Sequence, residues 1–227
     1  MSKITIKHFL NTNLKPYIIN KQNYYTIYLL ITANRKTTKL KSLVFDEYYT
    51  ENDFEEIFNS DSRADRQMIE NELNAINIIA EITIEALAEF NTSFLTAYIN
   101  FSNSISVWKP DVELKINKKS TFANNSIFNI GIDSIYTEIG KDKEITIFEF
   151  FNLESQNIAM KLLEKNNIKN PITVLRDINK IIFYTSIEYF RWYVEGNKKN
   201  SDLINRFYLL FDNHKEMITK YLEEKYK

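Results

Sequence analysis

The feature that most constrains the fold is a run of β-branched and aromatic residues at 24–32, Tyr-Tyr-Thr-Ile-Tyr-Leu-Leu-Ile-Thr. Residues of these types favour β-strands. The next four residues predict a turn in which Asn34 takes a positive φ. A return strand over residues 37–45 completes a predicted β-hairpin, and alternation of apolar and polar residues over 3–9 predicts another strand.

Charge is distributed very unevenly along the chain. The first 45 residues contain eight basic residues and no acidic one, a local charge of +8, although the whole chain has a net charge of −1. An asymmetry of this kind points to a segment that faces a polyanion. The residues we expect to contact nucleic-acid phosphates are Lys7, Lys15, Lys21, Arg35, Lys36, Lys39 and Lys41.

Lys39 and Lys41 stand two residues apart in the predicted return strand, so they share one face of it. Leu40 then points to the opposite face, towards the core. The predicted hairpin therefore has one apolar face and one basic face. The partner of the basic face is either duplex DNA or an acidic protein surface, and the alternative without a partner is a solvated edge that resists aggregation.

Composition excludes several kinds of chemistry. The 227 residues include no Cys, three Gly and two His. Thiolate metal sites, Cys nucleophiles and glycine-rich phosphate loops are therefore excluded, and a histidine-based metal cluster or triad is not expected. We predict no catalytic residues, no metal and no cofactor. The absence of Cys, of a signal peptide and of an apolar run of about 20 residues predicts a protein of the host-cell cytoplasm, or of a virion assembled there, without a membrane partner.

The remaining pattern predicts an α+β fold in three parts: residues 1–102 with the hairpin and helices, a β-rich connector or insertion at 103–145, and a helical bundle at 146–227. Residues 11–23 are predicted to form a loop, and residues 46–60 an acidic connector. The predicted helix-capping residues are Asp61 or Ser62, Thr92, Thr146 with Glu149, Asn170 and Ser201. The helix from Thr146 is expected to continue to about Lys165.

Two groups of aromatic residues have alternative interpretations. Tyr24, Tyr25 and Tyr28 are interpreted as core or cross-strand residues rather than as platforms for stacking on bases. The predicted bundle carries a wide aromatic stripe, which either fills the core or forms a subunit interface of a homo-oligomer or larger assembly. The candidate interface residues are Tyr189, Phe190, Trp192 and Tyr193.

Residues 26–36, Thr-Ile-Tyr-Leu-Leu-Ile-Thr-Ala-Asn-Arg-Lys, resemble a hairpin of the arm-binding region of tyrosine recombinases, the integrases of phages and conjugative transposons. The order of the elements over about residues 3–100 is also similar. The resemblance implies DNA binding by the hairpin. Leu30 stands where the family has Arg, and the glycine that usually precedes the hairpin is missing.

The resemblance does not extend to DNA cleavage. That family cuts DNA with a Tyr nucleophile and an H-x-x-R pair, whereas residues 214–217 here read His-Lys-Glu-Met. We therefore expect a non-enzymatic phage or mobile-element protein that binds DNA. The alternative is a structural virion component, a ring or adaptor of the head–tail or tail assembly, that works through protein–protein contacts.

Overall fold

The fold, taken from a computed structural model, is α+β, as the sequence predicts. The structure describes residues 3–104, 106–108 and 145–194. The chain divides into two compact units, residues 1–100 and 101–227. The predicted connector at 103–145 and the helix predicted from Ser201 lie largely or wholly outside the described residues.

An antiparallel sheet of five strands dominates the first unit. Its strands are β1 (Thr5–Leu10), β2 (Tyr17–Ile19), β3 (Gln22–Ala33), β4 (Lys36–Lys41) and β5 (Tyr48–Tyr49). The 12-residue strand β3 is central, because each of the other four strands pairs with it. The predicted hairpin is present, but its return strand, predicted over residues 37–45, ends at Lys41, and β3 extends beyond the hairpin.

A tight turn lies at each end of β3. Asn34 and Arg35 connect β3 to β4 with φ angles of 50° and 62°, which confirms the positive φ predicted for Asn34. Asn20 and Lys21 connect β2 to β3 with φ angles of 51° and 65°. Two-residue turns with positive φ at both positions match the right-handed twist of a hairpin. The prediction of a loop over residues 11–23 was wrong at residues 17–19. These residues form β2, which the Asn20–Lys21 turn joins to β3 in a second hairpin.

Alternation along β3 separates a core face from an exposed one. Ile27, Leu29 and Ile31 are fully buried, and Leu40 of β4 is 3% exposed on the same side. The intervening residues of β3 are only half-buried. One face of this antiparallel sheet thus packs on the core while the other meets solvent.

Three helices follow the sheet: α1 (Glu51–Phe58), α2 (Arg63–Leu87) and α3 (Thr92–Ser104). Helix α1 lies within the predicted acidic connector, where the sequence analysis did not predict a helix. Thr50 and Asp53 form a capping box at its start, in which the Thr50 hydroxyl accepts from the Asp53 amide and the Asp53 carboxylate accepts from the Thr50 amide. These hydrogen bonds satisfy two backbone donors that a helix start leaves open.

The caps of α2 and α3 illustrate how closely cap residues compete. Ser62 is the N-cap of α2, one of the two predicted residues. The start of α3 was predicted one residue too late, because the Asn91 side chain, not that of Thr92, accepts from the Phe94 amide at 3.0 Å. Asn and Thr are both good N-caps, so sequence alone separates such neighbours poorly.

The second unit contains a two-stranded ribbon and three helices. The ribbon pairs β6 (Ser106–Trp108) with β7 (Ile145–Thr146), and the helices are α4 (Ile147–Phe150), α5 (Leu153–Lys165) and α6 (Pro171–Val194).

The predicted Thr146–Glu149 capping box is present, but the helix it opens does not continue to Lys165. It stops after one turn, and Asn152 caps a new helix by accepting from the Ser155 amide at 2.8 Å. Buried Gln156 and Asn179 then join α5 to α6 through two amide hydrogen bonds of 2.9 and 3.3 Å.

Candidate nucleic-acid interface

The solvent-facing side of the sheet in the first unit, which we call the open face, combines lysines with aromatic side chains. It is built from the residues of β3 at 24, 26, 28, 30 and 32 and from their cross-strand partners. Directly opposed residues of an antiparallel pair share a face of the sheet. The charged and aromatic members of the open face are Lys7, Lys39, Lys41, Phe9, Tyr17, Tyr24, Tyr28 and Tyr48.

The lysines gather at one end of this face. Leu30 lies between Lys7 of β1 and Lys39 of β4, and one step along the sheet Tyr28 lies beside Lys41. All three lysines are exposed. The prediction that Lys39 and Lys41 share a face, with Leu40 pointing into the core, is confirmed.

Phe9 and Tyr28 form an aromatic row next to the lysines. They are direct cross-strand partners, and their ring centroids are 6.1 Å apart. The Lys39 ammonium lies 5.4 Å from the centroid of the Phe9 ring, close enough for a cation–π contact. Lys39 therefore lies across the sheet with its charge held over an aromatic surface.

The lysines of the open face keep their charges available for a ligand. Lys41 donates a hydrogen bond of 3.0 Å to the backbone oxygen of Asp46. Within the described part of the chain, Lys7, Lys39 and Lys41 form no ion pair. A group of cations that is neutralised by no neighbouring carboxylate attracts phosphate groups.

The other predicted phosphate contacts are dispersed. Arg35 and Lys21 occupy the turns at opposite ends of β3, which a strand of 12 residues separates by about 40 Å. Lys36 lies on the opposite side from Lys39 and forms an exposed ion pair of 3.5 Å with Glu89. Lys15 lies in the loop between β1 and β2. Of the seven predicted residues, the structure thus brings Lys7, Lys39 and Lys41 together on one surface.

A second aromatic group, which the sequence analysis missed, occupies the other end of the open face. The Tyr17 and Tyr48 rings are 4.1 Å apart, and both side chains are exposed. The pKa of Tyr48 is raised above its usual value. The main cause is a side-chain hydrogen bond with Tyr17, and desolvation is a smaller cause. The signal that could have revealed Tyr17 is the run of β-favouring residues Tyr-Ile-Ile before the Asn20–Lys21 turn.

On the core side of the sheet, opposite the open face, a buried carboxylate links the strands to a helix through hydrogen bonds. Glu72 of α2 is fully buried and accepts hydrogen bonds from His8 Nε2 at 2.7 Å and from Ser42 Oγ at 2.8 and 3.0 Å. It also accepts from the backbone amides of Leu43 and Val44 at 2.7 and 3.3 Å. One side chain therefore connects β1 and the segment after β4 to a helix.

This carboxylate–histidine pair is structural rather than catalytic. The side chains of His8 and Glu72 are 2% and 0% exposed, so a substrate has no access to them. Phe45 and Phe58 pack against the imidazole with centroid distances of 5.5 and 4.9 Å. Because His8 lies between Lys7 and Phe9 in β1, this cluster fixes the strand that contributes both residues to the open face.

The candidate interface stripe is described only in part. Phe190 is 7% exposed and its ring packs edge-on against Phe101 at 5.4 Å, which places it in the core of the second unit. For Phe190, the structure therefore agrees with the interpretation that the aromatic stripe fills the core. The side chains of Tyr189, Trp192 and Tyr193 lie outside the described structure.

Comparisons with protein-family models, with curated proteins and with solved structures find no match to this chain. The similarity to recombinase arm-binding regions therefore stays a prediction from the hairpin motif. Among the described residues, no group of three or more His, Asp and Glu side chains is arranged to hold a metal ion. None of the described helices has the length and apolar character needed to cross a membrane.

Proposed function

We propose that this chain is a non-catalytic DNA-binding module of a phage or mobile element, resembling the arm-binding region of an integrase, and that the lysine-bearing end of the open face contacts duplex DNA. The observation that carries the proposal is the group formed by Lys7 on β1 and by Lys39 and Lys41 on β4, the two strands that flank β3. Strand pairing fixes the spacing of the backbone positions that carry these lysines before DNA arrives. Preorganisation of the backbone in this way lowers the cost of binding.

The hairpin of β3 and β4 supplies a second element of the proposed contact. β1 pairs with β3 beside this hairpin as far as Thr32, so only the hairpin tip beyond that pair is two-stranded. The major groove of B-form DNA is about 12 Å wide and admits a two-stranded β-ribbon of this kind. Arg35 lies at the tip of this hairpin, where its guanidinium can reach a groove edge while Lys39 and Lys41 contact phosphates. The acid-free sequence of the first 45 residues agrees with this orientation, since no carboxylate of that segment opposes the DNA backbone.

Replacing all three lysines of the open face by glutamine is expected to weaken duplex binding and to flatten its salt dependence. Each phosphate contact contributes about −0.9 to the slope of log K against log salt concentration, so the triple variant should lose about 2.7 units of slope. Fluorescence anisotropy of a labelled duplex across a salt series measures both quantities. Lys36→Gln is the matched control, because its ammonium pairs with Glu89 on the other side of the hairpin. Duplex binding that is undetectable, or that is indifferent to salt, would refute the proposal.

A second candidate function is assembly into a virion structure through protein contacts, as a ring or adaptor. It is favoured by the apolar surface of the β2 hairpin, where Leu14, Tyr17, Ile18 and Ile19 are between 48% and 70% exposed. Contiguous apolar side chains at a projecting turn are typical of protein–protein contact sites.

If the β2 hairpin mediates self-association, Ile18→Ser should reduce the mass of the oligomer. Ile18 is 70% exposed, so the substitution removes contact surface without disturbing the core. Static light scattering over a concentration series measures the mass. Ile172→Ser is the control, since Ile172 of α6 is 75% exposed and lies outside this hairpin. A wild-type protein that remains monomeric at all concentrations would contradict self-association.

A further inference from the structure

The aromatic end of the open face exposes tyrosine rings to solvent, and phosphate binding by the lysines does not require these rings. Tyr17 and Tyr48 are 55% and 42% exposed, although large aromatic side chains usually bury their rings. Their rings lie at an angle of 48° with centroids 4.1 Å apart, so they form one composite aromatic surface. Tyr24 is the direct cross-strand partner of Tyr17 and extends this surface onto β3.

We infer that this aromatic surface binds unpaired bases of a single strand that continues from the duplex held by the lysines of the open face. The inference rests on the proposed function and names the nucleic-acid structure that the module prefers. In a duplex the π-faces of the bases are occupied by their neighbours, whereas unpaired bases expose theirs. Stacking on exposed tyrosines is tolerant of sequence because every base has a π-face.

The two ends of the open face are arranged along one strand. Tyr24 and Leu30 are both members of β3, and six residues of strand separate them by about 20 Å. Leu30 lies between Lys7 and Lys39, so the lysine row and the tyrosine surface face the same direction at that separation. Phe9 and Tyr28 occupy a row between these two ends, next to Lys41.

The local charge also favours bases over phosphates at the aromatic end. Asp46 and Glu47 immediately precede Tyr48. The pKa of the neighbouring Tyr49 is raised, first by its burial and then by the negative charges of Glu47 and Asp46. The Glu47 carboxylate, next to Tyr48 in the chain, disfavours a close phosphate there and leaves stacking as the main attraction. The contribution of unpaired bases should therefore depend less on salt than the duplex contact does.

The test compares three labelled DNAs that share one duplex: a blunt form, a form with an overhang of about 10 thymidines, and a form whose overhang is abasic. The two overhangs carry the same phosphates and differ only in their bases. Both 5′ and 3′ overhangs are measured by anisotropy with the full chain. We expect at least one thymidine overhang to bind about 5- to 150-fold more tightly than its abasic counterpart, the range expected from stacking one base.

Tyr17→Leu and Tyr48→Leu should each reduce that gain and leave binding of the blunt duplex unchanged. Tyr17→Phe and Tyr48→Phe are the matched controls, since they keep the rings and should retain most of the gain. Both positions are exposed, so the variants are expected to fold, and the unchanged affinity for blunt DNA reports this directly. Equal binding of thymidine and abasic overhangs in both polarities would overturn the inference while the proposed function stands. Failure of the blunt duplex to bind would overturn the proposed function as well.

Discussion

Replacing Glu72 by alanine is expected to destabilise the first unit by about 3–5 kcal/mol, the usual cost of removing one partner from a buried charged network. The carboxylate accepts from four groups, and all of them lose their partner in the variant. An unpaired buried donor costs about 1–3 kcal/mol, although such penalties do not add fully. Glu72→Gln should cost less, because an amide oxygen can still accept from Ser42 or Leu43.

The measurement must report on the first unit itself. Trp108 and Trp192 both fall in residues 101–227, so tryptophan fluorescence does not follow the sheet. Hydrogen exchange at the amides of β3 and α2 does, since the exchange of core amides reports the free energy of unfolding. Glu70→Ala is the control, because Glu70 is exposed on the same helix. Equal protection factors in the Glu72 and Glu70 variants would contradict the role assigned to the buried carboxylate.

Leu29→Ala is expected to destabilise the first unit by about 2–5 kcal/mol, whereas Leu30→Ala should cost much less. The two residues are neighbours with the same side chain, but Leu29 is fully buried and Leu30 is half-buried on the open face. The larger cost combines lost burial with the cavity that remains in a closely packed core.

This pair of substitutions tests the register of the sheet. A slip of one residue would exchange the faces of all side chains in β3, and Leu30 would then be the sensitive position. Hydrogen exchange of both variants distinguishes the cases. Comparable losses at Leu29 and Leu30 would be inconsistent with a sheet that has one core face and one open face.

The sequence was most informative where structure depends on local chemistry. The strand around residues 24–32 follows from β-branched and aromatic residues, and the turn at Asn34 follows from a side chain that tolerates positive φ. The spacing of Lys39 and Lys41 was sufficient to place both on one face. These predictions concern residues that are close together in the chain, so no long-range contact was needed to make them.

The predictions that were wrong concern elements whose signals are short. Strand β2 has three residues and α1 has eight, too few for a reliable periodic pattern. Helix α1 had a detectable signal in its capping box, Thr50 with Asp53, but that stretch was interpreted only as an acidic connector. The prediction of a single helix from Thr146 was wrong because the Asn152 side chain accepts a backbone hydrogen bond and caps a second helix.

By itself, the sequence determined the α+β class, the central hairpin, the basic character of the first 45 residues and the opposed faces of β4. Only the tertiary structure decided that Lys7 joins Lys39 and Lys41, that Lys36 does not, and that Tyr17 meets Tyr48. It also decided that Glu72 binds His8, 64 positions away in the chain. The physical reason is that alternation fixes the face of each side chain within its own strand, whereas strand pairing and helix packing determine which faces meet.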